Sequence, residues 1–565
     1  MKFLSRNVKA IVFTTTVVLM LAGCSTMKTG ETGEAASVEK DTMMSAATSS
    51  ENMGTMTSVE KTETPEMVSK EPQVMYPYGV EGIVKTDADT KDFDLYIVHT
   101  NDVHGYLDSN GTTEIGYPKF ATLLKVGKEL AHNNVLVLDA GDFSSGTNLV
   151  NSFNGEPAYT CIDMAGYDAV TPGNHEFDYD QSVVETAAQK ADGVKIISAN
   201  ILDAQGNLVF QPYEIYQYNG FKVAVIGLIT PDTKTAAKFV KGLTFVNPLD
   251  YQEAAQSAID RAHEVADYVV VLGHFGNDAT ASVTSEEICQ NINGIDLFID
   301  GHSHQVTNEV VNGTLIAQTG SHFENIGVVD VAVRDGVAVQ TRETLIQASD
   351  VLDCENSPLA QSVGITSVPD DDDLALYIGH VKQTVESLLG KVIANIPTTL
   401  AGDRASVRTK SMPLGTSVAK AMTAETGADV SFFNGGNLRA DLTKGDVTIG
   451  DVQNVLPYGN TLVTVQMTGA ALKQAFEDGY DSIPEPQGKF PQTDAKVIYN
   501  KFAPSGSRIQ LILINNKMLD ENAMYTVCTS DYIANGGDGY TEFSGEQTLT
   551  AVTIKQAVIN YLSNM

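Results

Sequence analysis

The chain has 565 residues, 42% of them hydrophobic, which is too long for one core and apolar enough to fold, so two domains with additions are expected. Asp and Glu outnumber Lys and Arg by 71 to 36, a formal charge of −35, which argues against nucleic-acid backbones and anionic headgroups as docking surfaces. In chain order, Lys2, Arg6 and Lys9 precede an apolar run from Ala10 to Leu21. That run is shorter than the span of about 20 residues a membrane helix needs, so residues 1–23 read as an export signal. Leu21-Ala22-Gly23-Cys24 resembles the bacterial lipobox, which implies lipidation of Cys24 and a mature chain that starts there. Losing Lys2, Arg6 and Lys9 with the signal takes the charge to −38. Ser25 is not the aspartate of inner-membrane retention, so an outer membrane is the expected address where the cell has one. The expected location is the bacterial cell envelope, lipid-anchored and facing the periplasm or exterior. Residues 24–90, rich in Ser, Thr, Glu, Met and Lys without apolar periodicity, read as a disordered tether.

From Asp94 the texture changes. Apolar runs LYIVHTNDVHG (95–105), NVLVLDAGD (134–142), DAVTPGNHE (168–176), KIISANI (195–201), FKVAVIGLI (221–229), DYVVVLGHFG (267–276) and IDLFIDGHSH (295–304) read as strands. Helical stretches such as 117–133 and 251–266 alternate with them, and 314–320 and 325–336 add strands, predicting an α/β domain over residues 91–350. Residues 351–394 read as linker and bridging helix: 357–373 mixes Pro, Gly, Ser and four consecutive aspartates, as expected of an exposed linker or helix start, and 374–390 reads as the helix. Residues 395–565 form a second α/β domain, with helices expected near 412–427 and 468–479 and strands in ADVSFFN, TLVTVQM, RIQLILI and MYTVCTS. Cys161, Cys289, Cys354 and Cys528 are widely spaced, without CxxC pairs, and read as buried free thiols, with one unassigned disulfide open in an oxidising compartment.

Five polar clusters follow the apolar runs of the first domain: NDVHG (101–105), GDFSSG (141–146), GNHEFD (173–178), LGHFG (272–276) and DGHSH (300–304). They hold five of the ten histidines, and their position places them at the carboxyl ends of strands, where open α/β sheets gather ligands. Two divalent ions a few ångströms apart need a shared carboxylate, several neutral imidazoles and no thiolate. Asp102, His104, Asp142, Asn174, His274, His302 and His304 supply that donor set. A single strand-end histidine is usually an ordinary satisfied polar group; the ordered run of five clusters is what points to metal.

In this order and spacing the clusters resemble the calcineurin-like metallophosphoesterase superfamily. NGGNLR (434–439), LPYGNTL (456–462) and YIANGGDGY (532–540) narrow the resemblance to the 5′-nucleotidase family, which includes UDP-sugar hydrolases and 2′,3′-cyclic nucleotide phosphodiesterases. Spanning residues 92–565, the resemblance implies an α/β fold: a four-layer α/β/β/α metallophosphoesterase domain and a C-terminal α/β substrate-recognition domain with hinge motion between them. It implies two divalent ions, zinc or manganese. Asp102, His104, Asp142 and His304 would hold one, and Asp142, Asn174, His274 and His302 the other, with Asp142 bridging. His175 would stand beside the ions and donate to the phosphoryl oxygen or leaving group, oriented by Asp178. Tyr458 and Tyr532 would sandwich the base, Asp538 accept from ribose hydroxyls and Asn460 touch base or sugar, while Arg404, Arg408 and Arg439, with Asn434 near them, would bind phosphates. Ser411 and Pro413 depart from the acidic residue and asparagine usual in the family, and both stacking positions carry Tyr where Phe is usual. The expected function is an extracellular hydrolase releasing phosphate from nucleoside 5′-phosphates for salvage. UDP-sugar or dinucleotide pyrophosphatase and 2′,3′-cyclic nucleotide phosphodiesterase remain open on the same site. So does a nucleotide-binding surface lipoprotein without turnover, which a missing donor or His175 would favour; none is missing.

Overall fold

The computed structural model describes residues 92–565, apart from 191–192, 237–239, 363, 482 and 565. The signal, Cys24 and the tether lie outside the described residues. The chain divides into two compact units, the first closing at Gly379 and the second running from His380.

The first unit contains two six-stranded sheets. In one, the order is Val337–Gln347, Asn325–Arg334, Phe93–Thr100, Val135–Asp139, Ala169–Val170, Lys195–Ile196; in the other it is Val306–Val311, Thr314–Thr319, Leu297–Ile299, Tyr268–His274, Phe221–Ile229, Tyr213–Tyr218. Phe93–Thr100, Val135–Asp139, Ala169–Val170 and Lys195–Ile196 run parallel in the first sheet, and the four inner strands do so in the second, so within each set the carboxyl ends share an edge. Fully buried strands such as VLVLD and FKVAVIGLI present apolar side chains both ways. One set, including Ile97, Leu138, Val225, Val270 and Ile299, forms a core between the sheets. The other sets meet helices on the outside. Tyr117–Leu130 turns Phe120, Ala121, Leu123 and Leu124 inward, and Gln252–Val265 does so with Ala255, Ala258, Ile259 and Ala262, the spacing of one helix face. These helices belong to two further cores, giving the layers helix, sheet, sheet, helix.

Two expectations need correction. Residues 357–373 are only in part an exposed linker: many are exposed and the aspartate run opens a helix, but Ala360, Ile365 and Val368 are buried with Leu374 and Ile378 in a core of the first unit. Their apolar spacing is masked in sequence by the polar residues around it. The helix that follows, Asp372–Leu389, contains the division between the units. Nor is 195–201 one strand; it breaks into Lys195–Ile196 and Ile201–Leu202. Between them buried Asn200 donates to the carbonyls of Ile229 and Val246 and accepts from the Ile229 N–H, so the chain leaves the sheet.

The second unit is built on a five-stranded sheet ordered Pro491–Thr493, Val430–Asn434, Met524–Ser530, Thr461–Thr468, Gln547–Thr553. Pro413–Thr426 and Ile554–Ser563 pack with one of its faces. Gly469–Tyr480 and a three-stranded sheet, Lys496–Tyr499, Ile509–Ile514 and Lys517–Met518, pack with the other. Cys161, Cys289, Cys354 and Cys528 are free and buried.

Candidate metal centre and nucleotide-recognition residues

The loops beyond the parallel strands bring all seven expected donors into two groups. Asp102, His104 and His304 lie together, as do Asp142, His274 and His302, each group's ligand atoms within 4.8 Å of one another. Asn174 joins the second group, its Oδ1 lying 3.3 Å from His274 Nε2 and 2.8 Å from His302 Nδ1. Asp142 Oδ2 lies 3.2 Å from His274 Nε2 and 3.9 Å from His104 Nε2, so one carboxylate reaches both groups.

Backbone geometry makes this convergence possible. Asp102, His104, Asp142, His302 and His304 all have φ between 49° and 82°, the left-handed region that costs a non-glycine residue on the order of 1 kcal/mol. The first two loops are held side by side, with the N–H groups of Asp102, His104 and Gly105 donating to the carbonyls of Gly141, Asp142 and Phe143. At Gly173 the approach is so close that a Cβ would stand 2.2 Å from the Asp142 carboxylate.

The residues fit metal ions. His104 Nδ1 faces the carbonyl of Ser145 at 3.1 Å and His274 Nδ1 that of Ala140 at 2.6 Å. A carbonyl only accepts, so each Nδ1 carries the proton and each Nε2 turns a lone pair inward. His104 Nε2 then faces His304 Nε2 at 2.9 Å, and Asp102 Oδ1 is buried with no hydrogen-bond donor. A proton on His304 Nε2, which lies 3.4 Å from Asp102 Oδ1, or a metal ion among these atoms would meet the acceptors. The proton affinities agree. Burial opposes a charged ring at His274, but Asp142 outweighs it and raises the pKa to about 10. Burial likewise favours a neutral Asp142, yet His274 and His175 hold it well below the usual carboxylate range.

His175 stands outside the donor set, half-exposed, its ring edge-on to His104 at 5.2 Å between centroids. Its Nδ1 donates to Asp178 Oδ2 at 2.6 Å, and that oxygen also accepts from Ser145 Oγ at 2.9 Å. Burial lowers its pKa, but Asp142 and then Asp178 bring it up to about 9.

Sequence reasoning missed the groups that hold these loops. Buried Glu176 accepts from the N–H groups of Asp142, Phe143, Ser144 and Gly173 and from Ser144 Oγ, at 2.6–3.0 Å. Asp300 accepts from the N–H groups of Phe275, Gly276 and Gly301, and Asp139 from Thr100 Oγ1 and the Gly141 N–H. Asn101 links Asp102 to Gly320 and accepts from Thr319. Glu176, Asp300 and Asn101 all lie inside the five clusters, which was the available signal.

In the second unit most of the expected substrate residues also gather. Tyr458 and Tyr532 are exposed. Arg439 lies over the Tyr458 ring, 5.1 Å from its centroid, and donates to its hydroxyl. Tyr532 Oη donates to Asp538 Oδ1 at 3.1 Å, and Asn434 Nδ2 to Asp538 Oδ2 at 2.8 Å, leaving lone pairs on both oxygens. Arg408 is lowered by partial burial and by the like charges of Arg404 and Arg439, with Asp538 and Tyr458 pulling the other way. Asn460 differs from expectation. It is buried and donates to Asp531 Oδ1 at 2.9 Å, the same oxygen that accepts from the Tyr532 N–H, so it braces Tyr532 rather than facing solvent.

Comparison with known proteins agrees with this geometry. The family model of the calcineurin-like phosphoesterases matches residues 95–306, and that of the 5′-nucleotidase C-terminal domain matches 392–545. The chain is 30% identical over 501 residues to the trifunctional nucleotide phosphoesterase protein YfkN of Bacillus subtilis, covering 80% of this chain but 32% of that longer protein. It is 27% identical over 490 residues to a 5′-nucleotidase of Vibrio cholerae, covering 80% of this chain and 87% of that protein. A solved 5′-nucleotidase precursor of Thermus thermophilus superposes with a TM-score of 0.53 at 27% identity, over 84% of this chain and 96% of that one. The chain is a metal-dependent phosphoesterase that belongs to the 5′-nucleotidase family of the calcineurin-like metallophosphoesterases.

Proposed function

We propose that the chain is a two-metal hydrolase releasing phosphate from nucleoside 5′-phosphates. The observation that carries this reading is that each unit holds one half of the chemistry: a converging donor set with His175 beside it in one, and exposed Tyr532 against Asp538 with exposed Tyr458 under Arg439 in the other. Asp102, His104, Asp142 and His304 would hold one divalent ion and Asp142, Asn174, His274 and His302 the other; the nitrogen–oxygen donor set suits zinc or manganese. Divalent ions bound there supply Lewis-acid charge for phosphate oxygens and lower the pKa of a coordinated water.

The chain's own residues do the rest. His175 is protonated at neutral pH, and with Nδ1 tied to Asp178 its free Nε2–H can donate to a phosphoryl oxygen or the departing alkoxide as negative charge develops. In the second unit Tyr458 and Tyr532 offer faces to a nucleobase, Asp538 accepts from ribose hydroxyls, and the arginines take phosphate oxygens.

Crowding of Arg404, Arg408 and Arg439 favours a second reading on the same site, in which substrates with more than one phosphate, such as UDP-sugars, are cleaved. The name of the Bacillus relative, a trifunctional nucleotide phosphoesterase, is consistent with such breadth. Purified protein supplied with zinc, manganese or cobalt is to be assayed on AMP, ATP, UDP-glucose, 2′,3′-cyclic AMP and bis(p-nitrophenyl) phosphate. Phosphate release fastest from AMP supports the first reading and cleavage of UDP-glucose the second. Release from none, with nucleotide binding intact, would leave a binding lipoprotein instead.

We further propose an envelope location through acylation of Cys24, supported by the Leu21-Ala22-Gly23-Cys24 sequence. Labelled palmitate entering the parent but not Cys24→Ala tests it.

A further inference from the structure

The three-stranded sheet of the second unit is apolar on both faces, and only one of them packs. The registers Lys496↔Leu513, Ile498↔Leu511 and Leu513↔Met518 put these five residues on one face. Val497, Ile512 and Ile514 point the other way, into the core of the unit. An antiparallel sheet with one face on a core ordinarily carries polar residues on the other. Here the outward face is Ile498 (41% exposed), half-buried Leu511 and Leu513, and Met518 (73% exposed). At its end the turn 500–508 presents Phe502 at 87% exposure. That turn is tied rather than loose: the Phe502 N–H donates to Asn500 Oδ1 at 3.0 Å, and Arg508 donates to the carbonyls of Ala503, Tyr480 and Ile483.

The charge of this segment is reversed from that of the chain. Between Asp494 and Asp520 there is no acidic residue, while Lys496, Lys501, Arg508 and Lys517 are present. Arg508 is spent on the turn, which leaves three exposed lysines: Lys496 on the apolar face, Lys501 in the turn, 5.0 Å from the Phe502 ring centroid, and Lys517, which pairs with Ile514 and so belongs to the opposite face. Acidic groups border the patch without entering it: Asp481 accepts from Ser505, and Glu521 pairs with Lys473.

We propose that this face docks on a membrane with anionic phospholipid headgroups, Phe502, Met518 and Ile498 entering the headgroup boundary while Lys496 and Lys501 meet the phosphates. A second copy is a poorer occupant, because two-fold pairing of the face sets the lysine rim against itself. The charge of −35 does not forbid docking, since charges more than about 8 Å from the contact are screened at physiological salt. Net charge therefore disfavours headgroup contact over the chain as a whole but not at this patch.

The inference is independent of the reaction and of acylation. The test uses the mature chain, residues 24–565, with Cys24→Ala, floated with vesicles of phosphatidylglycerol and phosphatidylethanolamine or of phosphatidylcholine alone. The expected result is flotation with the anionic vesicles only, weakened about tenfold or more by joint Phe502→Ser and Met518→Ser and by joint Lys-to-Glu changes at 496 and 501. Both variants should keep the parent's circular dichroism and its hydrolysis of soluble substrate. Absence of flotation in the parent, or equal flotation of the variants, overturns the proposal. So does a dimer seen by light scattering that Phe502→Ser abolishes, which would assign the face to a second copy.

Discussion

Replacing Glu176 with Gln tests whether a buried carboxylate outside the donor set holds the metal centre together. Glu176 Oε2 accepts the N–H groups of Asp142 and Gly173, and Oε1 accepts those of Phe143 and Ser144 and the Ser144 hydroxyl. A glutamine amide has one acceptor oxygen, so its better orientation still turns an NH2 toward two buried N–H donors. Each orphaned donor costs roughly 1–3 kcal/mol. Part of this is returned, because burial and the nearby Asp142 charge both disfavour an ionised Glu176. The net expectation is about 2 kcal/mol, concentrated on the loop that keeps Asp142 at its positive φ, which at about 1.4 kcal/mol per decade is roughly a 30-fold loss of metal affinity. Metal-depleted protein titrated with Mn²⁺ by calorimetry, or with Zn²⁺ against a chromophoric chelator, measures it, and Glu129→Gln on the exposed end of a helix is the control. Parent-like affinity in Glu176→Gln would refute the idea that this carboxylate holds the loop.

His175→Ala should retain the parent's metal content by elemental analysis while kcat falls about 10²–10⁴-fold, the usual worth of a placed proton donor; metal depletion would contradict its place outside the donor set. Tyr532→Ala should raise KM for AMP about tenfold through loss of base stacking. It should leave hydrolysis of bis(p-nitrophenyl) phosphate, which has no base, unchanged. Asp330→Asn tests a pH dependence away from the site: burial, then the Asp94 charge, raises Asp330 to about 6 against partial compensation by Arg334 and Arg342. A raised acid is favoured in its protonated form on folding, so its stabilising contribution is present below about pH 4 and lost as pH rises through about 6. The variant should therefore gain about 1 kcal/mol at pH 7.5, discounted for partial exposure, and little at pH 4.5, in urea melts at the two pH values.

The strands of the first unit were legible because they are buried on both faces and read as unbroken apolar runs ending in polar clusters. Their grouping into two stacked sheets was not carried by periodicity, since pairings such as Phe93–Thr100 with Asn325–Arg334 join segments more than two hundred residues apart. Residues 357–373 misled for a local reason: Ala360, Ile365 and Val368 are buried one at a time between polar neighbours, so no periodic stripe marks them. Asn460 misled because an asparagine in a glycine-flanked turn looks solvent-facing, whereas its amide is tied to Asp531.

The deeper limit lies in the chemistry of carboxylates. Asp102 and Asp142 each give one oxygen to a backbone N–H and turn the other toward imidazole nitrogens, while Glu176 and Asp300 spend both oxygens on loop donors and Asp139 spends its own on the Thr100 hydroxyl and the Gly141 N–H; in sequence both kinds simply follow an apolar run. What separates them is the direction of neighbouring dipoles, set by left-handed backbone at five donor positions. That conformation is costly for Asp and His, and it persists because buried carboxylates accept from the loop amides that it exposes. Donors and holders are thus one cooperative structure. A loss at Glu176 should appear as weaker metal binding before it appears as a slower reaction step, and a loss at His175 as the reverse.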